Sequence, residues 1–308
     1  MDIIRKKHDE FLKFDDDTVA VMGQFDGLHI GHVSLIKEAL RQGKENNMKV
    51  AVVTFDPHPD FVLRKRENMG YITPLTKKLK LLEDLEVDYV VLLNFDIELS
   101  QLSPEEFHER FLTSFQIIVV GSDYRYGFRG KGNTETLKTT NKKIIAYELL
   151  KTHDKKIGSN MIREYLIEGR VQDIYSLLNR YYSISGVVSH GSKVGRTLGI
   201  HTANIELEEE YQIIKKGVYV VYVTIDDEKH LGVCNIGINP SINTLEKMRL
   251  EVHILDFDHE IYDKHISIDI VERIRDEMYF DTPDKLVTQI KNDIKYTKEN
   301  YGDKIWKY

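Results

Sequence analysis

The sequence predicts an α/β protein in which a doubly wound parallel-sheet domain is followed by a small antiparallel β-barrel domain with a C-terminal helix. Over residues 1–182, short apolar runs typical of buried strands alternate with helical spacings. The unusual glycine-rich and polar segments there follow the carboxyl ends of those runs, where open α/β sheets bind ligands. From residue 183 the pattern changes to short, β-branched, alternating runs. We therefore expect two domains, 1–182 and 183–308.

Composition limits the class of protein. The 308 residues are 41% hydrophobic and 30% charged, as in globular chains, and the length suits two domains. A net charge of −7 argues against a broad nucleic-acid surface but allows a local cationic nucleotide pocket. Cys234 is the one cysteine, which excludes an intramolecular disulfide and a cysteine zinc cluster. The sequence shows no signal peptide and no membrane-spanning run. We expect a cytoplasmic monomer or weak homo-oligomer with no nucleic-acid or membrane partner.

The first predicted strand ends in a glycine-punctuated turn. An apolar run at residues 19–22 stops at a turn that contains three glycines, Gly23, Gly27 and Gly31. A helical pattern follows at once, so free helix N–H groups lie at the carboxyl end of a strand, an arrangement that favours polyphosphates. His29 and His32 are three residues apart, so within a helical turn they face the same way and can donate to phosphate oxygens. The alternative is a chance turn with structural histidines.

Four further strands complete the predicted sheet. Their apolar runs cover residues 49–55, 89–93, 117–120 and 143–149, and helices are predicted at 77–85 and from Ser103 onward. Pro57 and Pro59 stop the strand at 49–55 and stiffen the loop after it, which puts His58 at the sheet edge beside the first motif. A rigid turn with an incidental histidine is the alternative.

Two later segments of the first domain also carry candidate ligand contacts. After the strand at 117–120, Tyr124 and Tyr126 offer flat surfaces to a ring system, and Asp123 orders the loop or contacts the ligand. Core packing of these tyrosines is the alternative. Further on, Ser159 or Asn160 caps a helix whose first turn contains Arg163, and such a group suits a β- or γ-phosphate.

These segments resemble the nucleotidyltransferase signature of prokaryotic FAD synthetases. Residues 23–32 fit the family pattern Gly-x-Phe-Asp-Gly-x-His-x-Gly-His, and residues 55–59 fit Phe-x-Pro-His-Pro. Residues 120–127 are similar to Val-Gly-x-Asp-Phe-x-Phe-Gly, with tyrosines in place of the phenylalanines. Residues 157–163 are similar to Ile-Ser-Ser-Thr-x-Ile-Arg, and they depart from it at Gly158 and Asn160.

The resemblance implies an FMN adenylyltransferase domain with the nucleotidyltransferase fold. In this reaction the FMN phosphate attacks the α-phosphorus of ATP, pyrophosphate leaves, and Mg²⁺ lies on the phosphates. The implied catalytic residues are His29, His32 and Arg163. The implied ATP-binding residues are Gly23, Phe25, Asp26, Gly27, Gly31, Ser159 and Asn160. The implied FMN-binding residues are Pro57, His58, Asp123, Tyr124 and Tyr126.

The second domain is predicted as a small barrel closed by a helix. Its strands are predicted at residues 185–189, 217–225, 231–236, 249–255 and 265–274, and its helix from 283 to about 301. The loop at 191–199 carries Lys193 and Arg196, which can cover phosphates, although a solvated turn is the alternative. Thr202 and Asn204 alternate to one face of an extended segment and offer oxygen ligands to Mg²⁺, with ordinary strand polarity as the alternative.

The barrel segments resemble riboflavin kinases. Those enzymes carry Gly-x-x-x-Gly-Arg-x-x-Gly-Phe-Pro-Thr-Ala-Asn where this chain has residues 191–204, with Ile200 and His201 in place of Phe-Pro. Ser241 and Ile242 replace a usual Thr-Phe. The resemblance implies Glu251 as the general base for the riboflavin 5′-hydroxyl. It implies nucleotide binding by Gly191, Lys193, Gly195, Arg196 and Asn235, flavin binding by Arg275 and Glu277, and Mg²⁺ binding by Thr202 and Asn204.

Three hypotheses about function follow. The first is a bifunctional enzyme that phosphorylates riboflavin to FMN and adenylates FMN to FAD, with ATP as co-substrate and Mg²⁺ as cofactor. The second keeps only the adenylyl transfer, because His201 and its neighbours depart from the kinase pattern. The third is a flavin-sensing binding protein without turnover, against which the acidic net charge and the absence of a basic stripe count.

Overall fold

The computed structural model describes residues 1–63, 70–148, 150–152, 155–190, 201–239 and 247–302. Its contacts divide the chain into two compact units. The first unit comprises Met1–Met69 and Thr73–Ser159, and the second comprises Gly70–Ile72 and Asn160–Tyr308. The second unit thus takes in residues before 183, and the predicted boundary between 182 and 183 stays a prediction.

Within the described residues, the first unit is built on a six-stranded parallel sheet, as the doubly wound prediction requires. Its strands, in chain order, are β1 (Asp2–Lys6), β2 (Thr18–Met22), β3 (Lys49–Asp56), β4 (Tyr89–Asn94), β5 (Phe115–Gly121) and β6 (Lys143–Tyr147). The spatial order is β1-β4-β3-β2-β5-β6. The strand order reverses at β2 and β5, so the segments that follow these two strands flank the crevice where such sheets bind ligands.

Alternate residues of the central strands belong to two separate hydrophobic cores. In β2, Val19 and Val21 belong to one hydrophobic cluster, and Ala20 and Met22 belong to the other. Successive side chains of a strand point to opposite faces, so each cluster covers one face of the sheet. Both faces are therefore buried, which explains why the strands have continuous apolar runs.

Helices cover both faces of the sheet. One core contains residues of α1 (Ile30–Asn46) and α3 (Leu75–Glu83), and the other contains residues of α4 (Ile97–Gln101) and α5 (Pro104–Phe107). The short α2 (Pro59–Val62) and α6 (Thr134–Lys138) lie between strands. Ser103 begins α5 with a capping box to Glu106, in agreement with the predicted helix start. The chain continues as a π-helical segment at His108–Leu112.

The edge strand β1 was not predicted. It pairs in parallel with β4 between Asp2↔Tyr89 and Lys6↔Leu93. Its sequence mixes charges with two isoleucines, and Ile3 is 47% exposed. An edge strand needs neither a continuous apolar run nor strict alternation, so the sequence of β1 carries no strand pattern.

The second unit contains a closed antiparallel barrel, as predicted. Its strands are β9 (Tyr182–Ser189), β10 (Ala203–Glu206), β11 (Gly217–Ile225), β12 (Glu228–Asn239), β13 (Lys247–Ile254) and β14 (His265–Arg275). The order around the barrel is β10-β13-β12-β11-β14-β9. The unit also holds most of α7 (Ser159–Glu168), all of α8 (Val171–Leu178) and the closing helix α9 (Pro283–Tyr301). A short ribbon in the first unit, β7 (Lys151–Thr152) and β8 (Lys155–Lys156), precedes α7.

Candidate functional site

The predicted histidine pair lies at the start of α1. His29 is the N-cap residue, and its Nδ1 accepts the backbone N–H of His32 at 3.3 Å. The two rings stack with their centroids 3.6 Å apart and their planes 19° apart. Because Nδ1 of His29 accepts this hydrogen bond, the neutral ring carries its proton on Nε2. The pair therefore places an Nε2–H donor beside the N–H groups at the positive end of α1.

His32 is held in its neutral form. Burial lowers the pKa of His32 well below its usual range, because an imidazolium loses solvation there. Positive charges add to this lowering, and they belong to His29, Lys78 and Lys156. Among the described residues, the buried Nδ1 atom of His32 has no hydrogen-bond partner. The rings of Phe25 and His32 pack edge to face, with 5.3 Å between their centroids.

The turn between β2 and α1 is a compact, left-handed structure. Phe25, Gly27 and Leu28 all have positive φ, at 52°, 86° and 39°. Phe25 is fully buried, and burial of its ring offsets the strain of that backbone conformation. A Cβ at Gly31 would lie 3.1 Å from Nδ1 of His29, so this glycine leaves room for the histidine pair.

Asp26 ties the turn to two distant segments of the first unit. It is 1% exposed, and its Oδ1 accepts the backbone N–H of Thr73 at 3.0 Å. Its backbone carbonyl accepts the hydroxyl of Ser159 at 2.8 Å. Ser159 is the first residue of α7, and the sequence predicted either Ser159 or Asn160 as the cap of this helix. These contacts are those of a residue that shapes the turn, and the assignment of Asp26 and Ser159 to ATP binding stays a prediction.

The loop after β3 repeats the geometry of the first motif. Nδ1 of His58 accepts the backbone N–H of Asp60 at 3.1 Å and begins α2, directly after Pro57. The neutral His58 ring thus also carries its proton on Nε2. β3 is the parallel neighbour of β2, so both histidine-capped helices start at the same edge of the sheet.

The three predicted FMN-binding residues of the loop after β5 differ in their surroundings, although the rings of Tyr124 and Tyr126 stack with their centroids 6.0 Å apart. Asp123 is exposed and forms an ion pair with Lys156. The Tyr124 hydroxyl is buried and has no hydrogen-bond partner within the described ranges, and burial raises the pKa of this phenol. Tyr126 is 6% exposed, belongs to a hydrophobic core cluster and makes a 3.2 Å contact from its hydroxyl to Thr136 Oγ1. Tyr126 therefore has the surroundings of a core residue, which was the alternative for this loop, and its role in FMN binding stays a prediction.

The sequence did not predict any role for Lys78. This residue of α3 is 1% exposed, and its Nζ donates to the backbone carbonyl of Gln24 at 3.0 Å. Burial lowers the pKa of Lys78, while the nearby carboxylates of Asp26 and Asp56 favour its charged form. A signal was present in the sequence, since Lys78 falls on the buried stripe of the helix, four residues before the buried Leu82.

Asn160 and Arg163 belong to the second compact unit. Arg163 is 6% exposed, and its Nη2 donates to the backbone carbonyl of Gly70 at 3.1 Å. Both residues lie in α7, as the predicted helix required. Their assignment to the nucleotide stays a prediction.

Three polar residues of the barrel form one row. Asn204 of β10 is directly opposite Glu251 of β13, and Glu251 is directly opposite Asn235 of β12. Residues directly opposite each other on antiparallel strands project to the same face, with Cβ atoms roughly 5 Å apart. The carboxylate predicted as the base thus lies between the amides predicted to bind metal and nucleotide.

Asn235 and Glu251 of this row border a cavity of about 430 Å³ in the second unit. The cavity is lined by several residues that the sequence singled out: Thr202, Asn235, Glu251, Arg275 and Glu277. Apolar side chains of the barrel and of α9 complete the lining. The Glu251 side chain is 30% exposed, and one carboxylate oxygen lies 3.6 Å from Nη1 of Arg249.

Arg275 is held by a residue that the sequence did not single out. It forms a bidentate ion pair with Asp293 of α9, at 3.1 Å from Nε and 2.7 Å from Nη2. Gln289 donates to the same carboxylate at 2.9 Å. Asp293 is 3% exposed, so α9 fixes the guanidinium at the cavity wall.

His253 also lines the cavity and was missed as a site residue. Its Nδ1 donates to the backbone carbonyl of His201 at 2.7 Å. This hydrogen bond ties β13 to the segment that leads into Thr202. The substituted position 201 therefore contacts the barrel through its main chain, which any residue can supply.

The comparisons with known proteins cover nearly the whole chain. Residues 12–163 match the family model for FAD synthetase, and residues 178–301 match the model for riboflavin kinase. A bifunctional riboflavin kinase/FMN adenylyltransferase of Listeria monocytogenes is 36% identical over 290 residues, 92% of each chain. The Bacillus subtilis protein of the same name is 36% identical over 90% of each chain. The chain belongs to this family.

A solved structure shares the family fold over its full length. A crystal structure described as a macrolide-efflux protein from Streptococcus pneumoniae superposes with a TM-score of 0.89 at 30% identity, and covers 97% of this chain and 99% of its own. Among the residues described, no helix has the length and apolarity to cross a membrane. Family membership and fold were both predicted by the motifs and are confirmed.

Some predicted family residues lie outside the described residues. They are the nucleotide-binding candidates of the kinase loop, Gly191, Lys193, Gly195 and Arg196. The departures from the family pattern at Ile200, Ser241 and Ile242 also lie outside them. The roles of these residues stay predictions from the family resemblance.

Proposed function

We propose that this chain makes FAD from riboflavin in two ATP-dependent reactions. Riboflavin is phosphorylated to FMN in the barrel unit, and FMN is adenylated to FAD in the parallel-sheet unit. The observation that chiefly carries the proposal is the stacked pair of His29 and His32 at the start of α1. An imidazole N–H beside free helix N–H groups at the edge of a parallel sheet is suited to bind a polyphosphate.

In the adenylyl transfer, a phosphate oxygen of FMN forms a bond to the α-phosphorus of ATP. The bond between that phosphorus and the bridging oxygen breaks, and pyrophosphate leaves with the electron pair. His29 donates from Nε2–H to an α-phosphate oxygen, where negative charge is stabilised as the transfer proceeds. The neutral His32 stacks on this ring and fixes its orientation. Positioning and charge stabilisation suffice, and no covalent enzyme intermediate is required.

In the kinase reaction, Glu251 accepts the proton of the riboflavin 5′-hydroxyl. The hydroxyl oxygen then forms a bond to the γ-phosphorus of ATP, the bond between that phosphorus and the β–γ bridging oxygen breaks, and ADP leaves with the electron pair. The position of Glu251 at the cavity wall between two amides supports this role. Arg275 and Glu277, which line the same cavity, are proposed to bind the flavin.

The donor set of the barrel fits Mg²⁺. Thr202 lines the cavity, and Asn204 lies in register with Glu251, so a hydroxyl and an amide oxygen are available to a hard cation. Thr202 and Asn204 would hold the ion, and when bound it would neutralise charge on the ATP phosphates.

The remaining predicted site residues keep their roles within this proposal. In the first domain, the residues proposed to bind FMN are Pro57, His58, Asp123, Tyr124 and Tyr126. The residues proposed to bind ATP are Gly23, Phe25, Asp26, Gly27, Gly31, Ser159 and Asn160. Arg163 is assigned to the ATP phosphates from the family resemblance. The domain boundary between 182 and 183, a cytoplasmic location and a monomeric or weakly associated state belong to the same proposal. Light scattering after size exclusion tests the last of these.

A product assay with separate flavins tests the two reactions. The full chain is incubated with ATP, Mg²⁺ and either riboflavin or FMN, and the flavins are separated by chromatography with fluorescence detection. We expect riboflavin to give FMN and then FAD, and FMN to give FAD with release of pyrophosphate.

Other outcomes identify the other hypotheses. FAD from supplied FMN alone, with riboflavin unchanged, would reject the kinase half and leave a monofunctional adenylyltransferase. Flavin binding without any product, in protein that unfolds cooperatively on heating, would reject both activities in favour of a flavin-sensing protein.

A further inference from the structure

Lys78 is a buried cation, and within the described part of the chain its ammonium donates a hydrogen bond to the turn of the first motif. Its Nζ donates to the Gln24 carbonyl at 3.0 Å, while Thr54 Oγ1 donates to the same oxygen at 2.9 Å. The Gln24 carbonyl is therefore held from two sides, by β3 and by α3. One N–H of the Lys78 ammonium donates the hydrogen bond to this carbonyl.

The position of this carbonyl decides the path of the turn. Gln24 directly precedes Phe25, which is left-handed at φ 52°, a conformation that a residue with a side chain rarely adopts without support. Fixing the Gln24 carbonyl fixes the peptide plane between these two residues. The turn then leads into His29 and the start of α1, so the bond at Lys78 constrains the path to the histidine pair.

The charge of Lys78 acts on the same site. Its positive charge is one of those that lower the pKa of His32, together with the charges of His29 and Lys156, while burial is the largest cause. The charged groups around Lys78 are the carboxylates of Asp26 on the turn and Asp56 at the end of β3. Burying an ammonium is unfavourable, and an apolar residue would suit the buried stripe of α3 better if packing alone mattered.

We propose that Lys78 is a positioning residue of the adenylyl-transfer site, whose ammonium holds the Gln24 carbonyl and keeps the turn and the histidine pair that follows it in their working arrangement. This inference rests on the proposed FMN adenylyltransferase activity. It adds a residue on α3 to the residues already assigned to this site.

The first test removes the charge and keeps the side-chain length. In Lys78→Met we expect kcat for FAD formation from FMN to fall about 10- to 100-fold, a loss typical of a displaced catalytic group, with a smaller change in KM for ATP. Lys80→Met is the matched control, because Lys80 is exposed on the same helix, and it should keep the wild-type kcat. A folded Lys78→Met protein with wild-type kcat would overturn the proposal.

The second test reads His32 directly and needs no turnover. Nuclear magnetic resonance titration of the His32 ring should give a higher midpoint in Lys78→Met, because a neighbouring positive charge has been removed while Asp26 and Asp56 remain. The Lys80→Met midpoint should equal that of the wild type. An unchanged His32 midpoint in folded Lys78→Met would overturn the proposal, since a purely structural lysine would leave it unmoved.

A conservative variant covers the case in which Lys78→Met does not fold. Lys78→Arg keeps a positive charge and N–H donors, so it should retain the low His32 midpoint and a kcat above that of the methionine variant. A folded Lys78→Arg protein with a raised His32 midpoint would contradict the inference. If the wild-type chain forms no FAD, the proposed function fails instead, and the His32 titration still reports on Lys78.

Discussion

The rings of His29 and His32 stack with their centroids 3.6 Å apart, and the backbone N–H of His32 donates to Nδ1 of His29. One side chain thus caps α1 and takes part in the proposed chemistry. A capping residue is fixed by the helix it begins, so the Nε2–H donor gains a defined direction. Single substitutions in the histidine pair therefore test the proposed catalytic role more precisely than removal of the whole turn between β2 and α1 would.

Replacing His29 by asparagine separates capping from chemistry. Asparagine is a good N-cap, so His29→Asn should keep the stability of α1, while His29→Ala should lose about 1 kcal/mol in the free energy of unfolding. Both variants should lose FAD formation from FMN by about 10²- to 10³-fold, because the donor to the α-phosphate is gone. Urea unfolding and the FMN assay measure the two effects. Wild-type FAD formation by His29→Asn would remove the catalytic role of His29.

The stability of the first unit should depend on pH through His32. In the folded state the pKa of His32 lies well below its usual range, whereas in the unfolded chain the same imidazole has a pKa of about 6.5. The unfolded state then binds the proton first as the pH falls, so the free energy of unfolding decreases below about pH 6.5. Urea unfolding at several pH values should show a shallower decrease in His32→Gln than in the wild type. Identical slopes would contradict the low folded-state pKa.

Removing the charge of Glu251 should affect only the kinase. Glu251→Gln cannot accept the 5′-hydroxyl proton, so FMN formation from riboflavin should fall about 10²- to 10⁴-fold. FAD formation from supplied FMN should stay at the wild-type rate. Glu228→Gln is the matched control, because Glu228 lies in the same barrel with its side chain 82% exposed. If Glu251→Gln phosphorylates riboflavin normally, another group is the base.

Breaking the ion pair behind the barrel cavity should destabilise the second unit. In Asp293→Asn the Arg275 guanidinium loses its carboxylate partner, and such a loss typically costs about 3–5 kcal/mol when the pair is buried. The KM for riboflavin should rise in the same variant, because the guanidinium is no longer fixed at the cavity wall. Asp284→Asn, an exposed position in the first turn of α9, serves as control. Equal melting temperatures for the two variants would show that the pair is not needed for stability.

The sequence predicted those parts of the fold that depend on local pattern. The apolar runs before Gly23 and Pro57 became β2 and β3, and the alternating runs became the barrel. The edge strand β1 escaped prediction, because its pairing with β4 comes from a segment more than 80 residues away and not from its own composition.

The candidate site was predictable only where its residues are neighbours in the chain. His29 and His32 share one helical turn, so their common orientation could be predicted from spacing. Lys78 meets Gln24 across 54 residues, and Arg275 meets Asp293 through a helix that follows the barrel. Periodicity shows that a residue points inward, but it does not show which group it meets there.

The row formed by Asn204, Glu251 and Asn235 has a consequence for how this barrel tolerates change. The separation of the three groups is set by the spacing of hydrogen-bonded strands, about 4.8 Å per step, and no connecting loop contributes to it. A substitution before the row, such as His201, therefore leaves the mutual distances of these three groups unchanged. Engineering of flavin preference should accordingly begin in the loops that connect the strands and leave the row of Asn204, Glu251 and Asn235 unchanged.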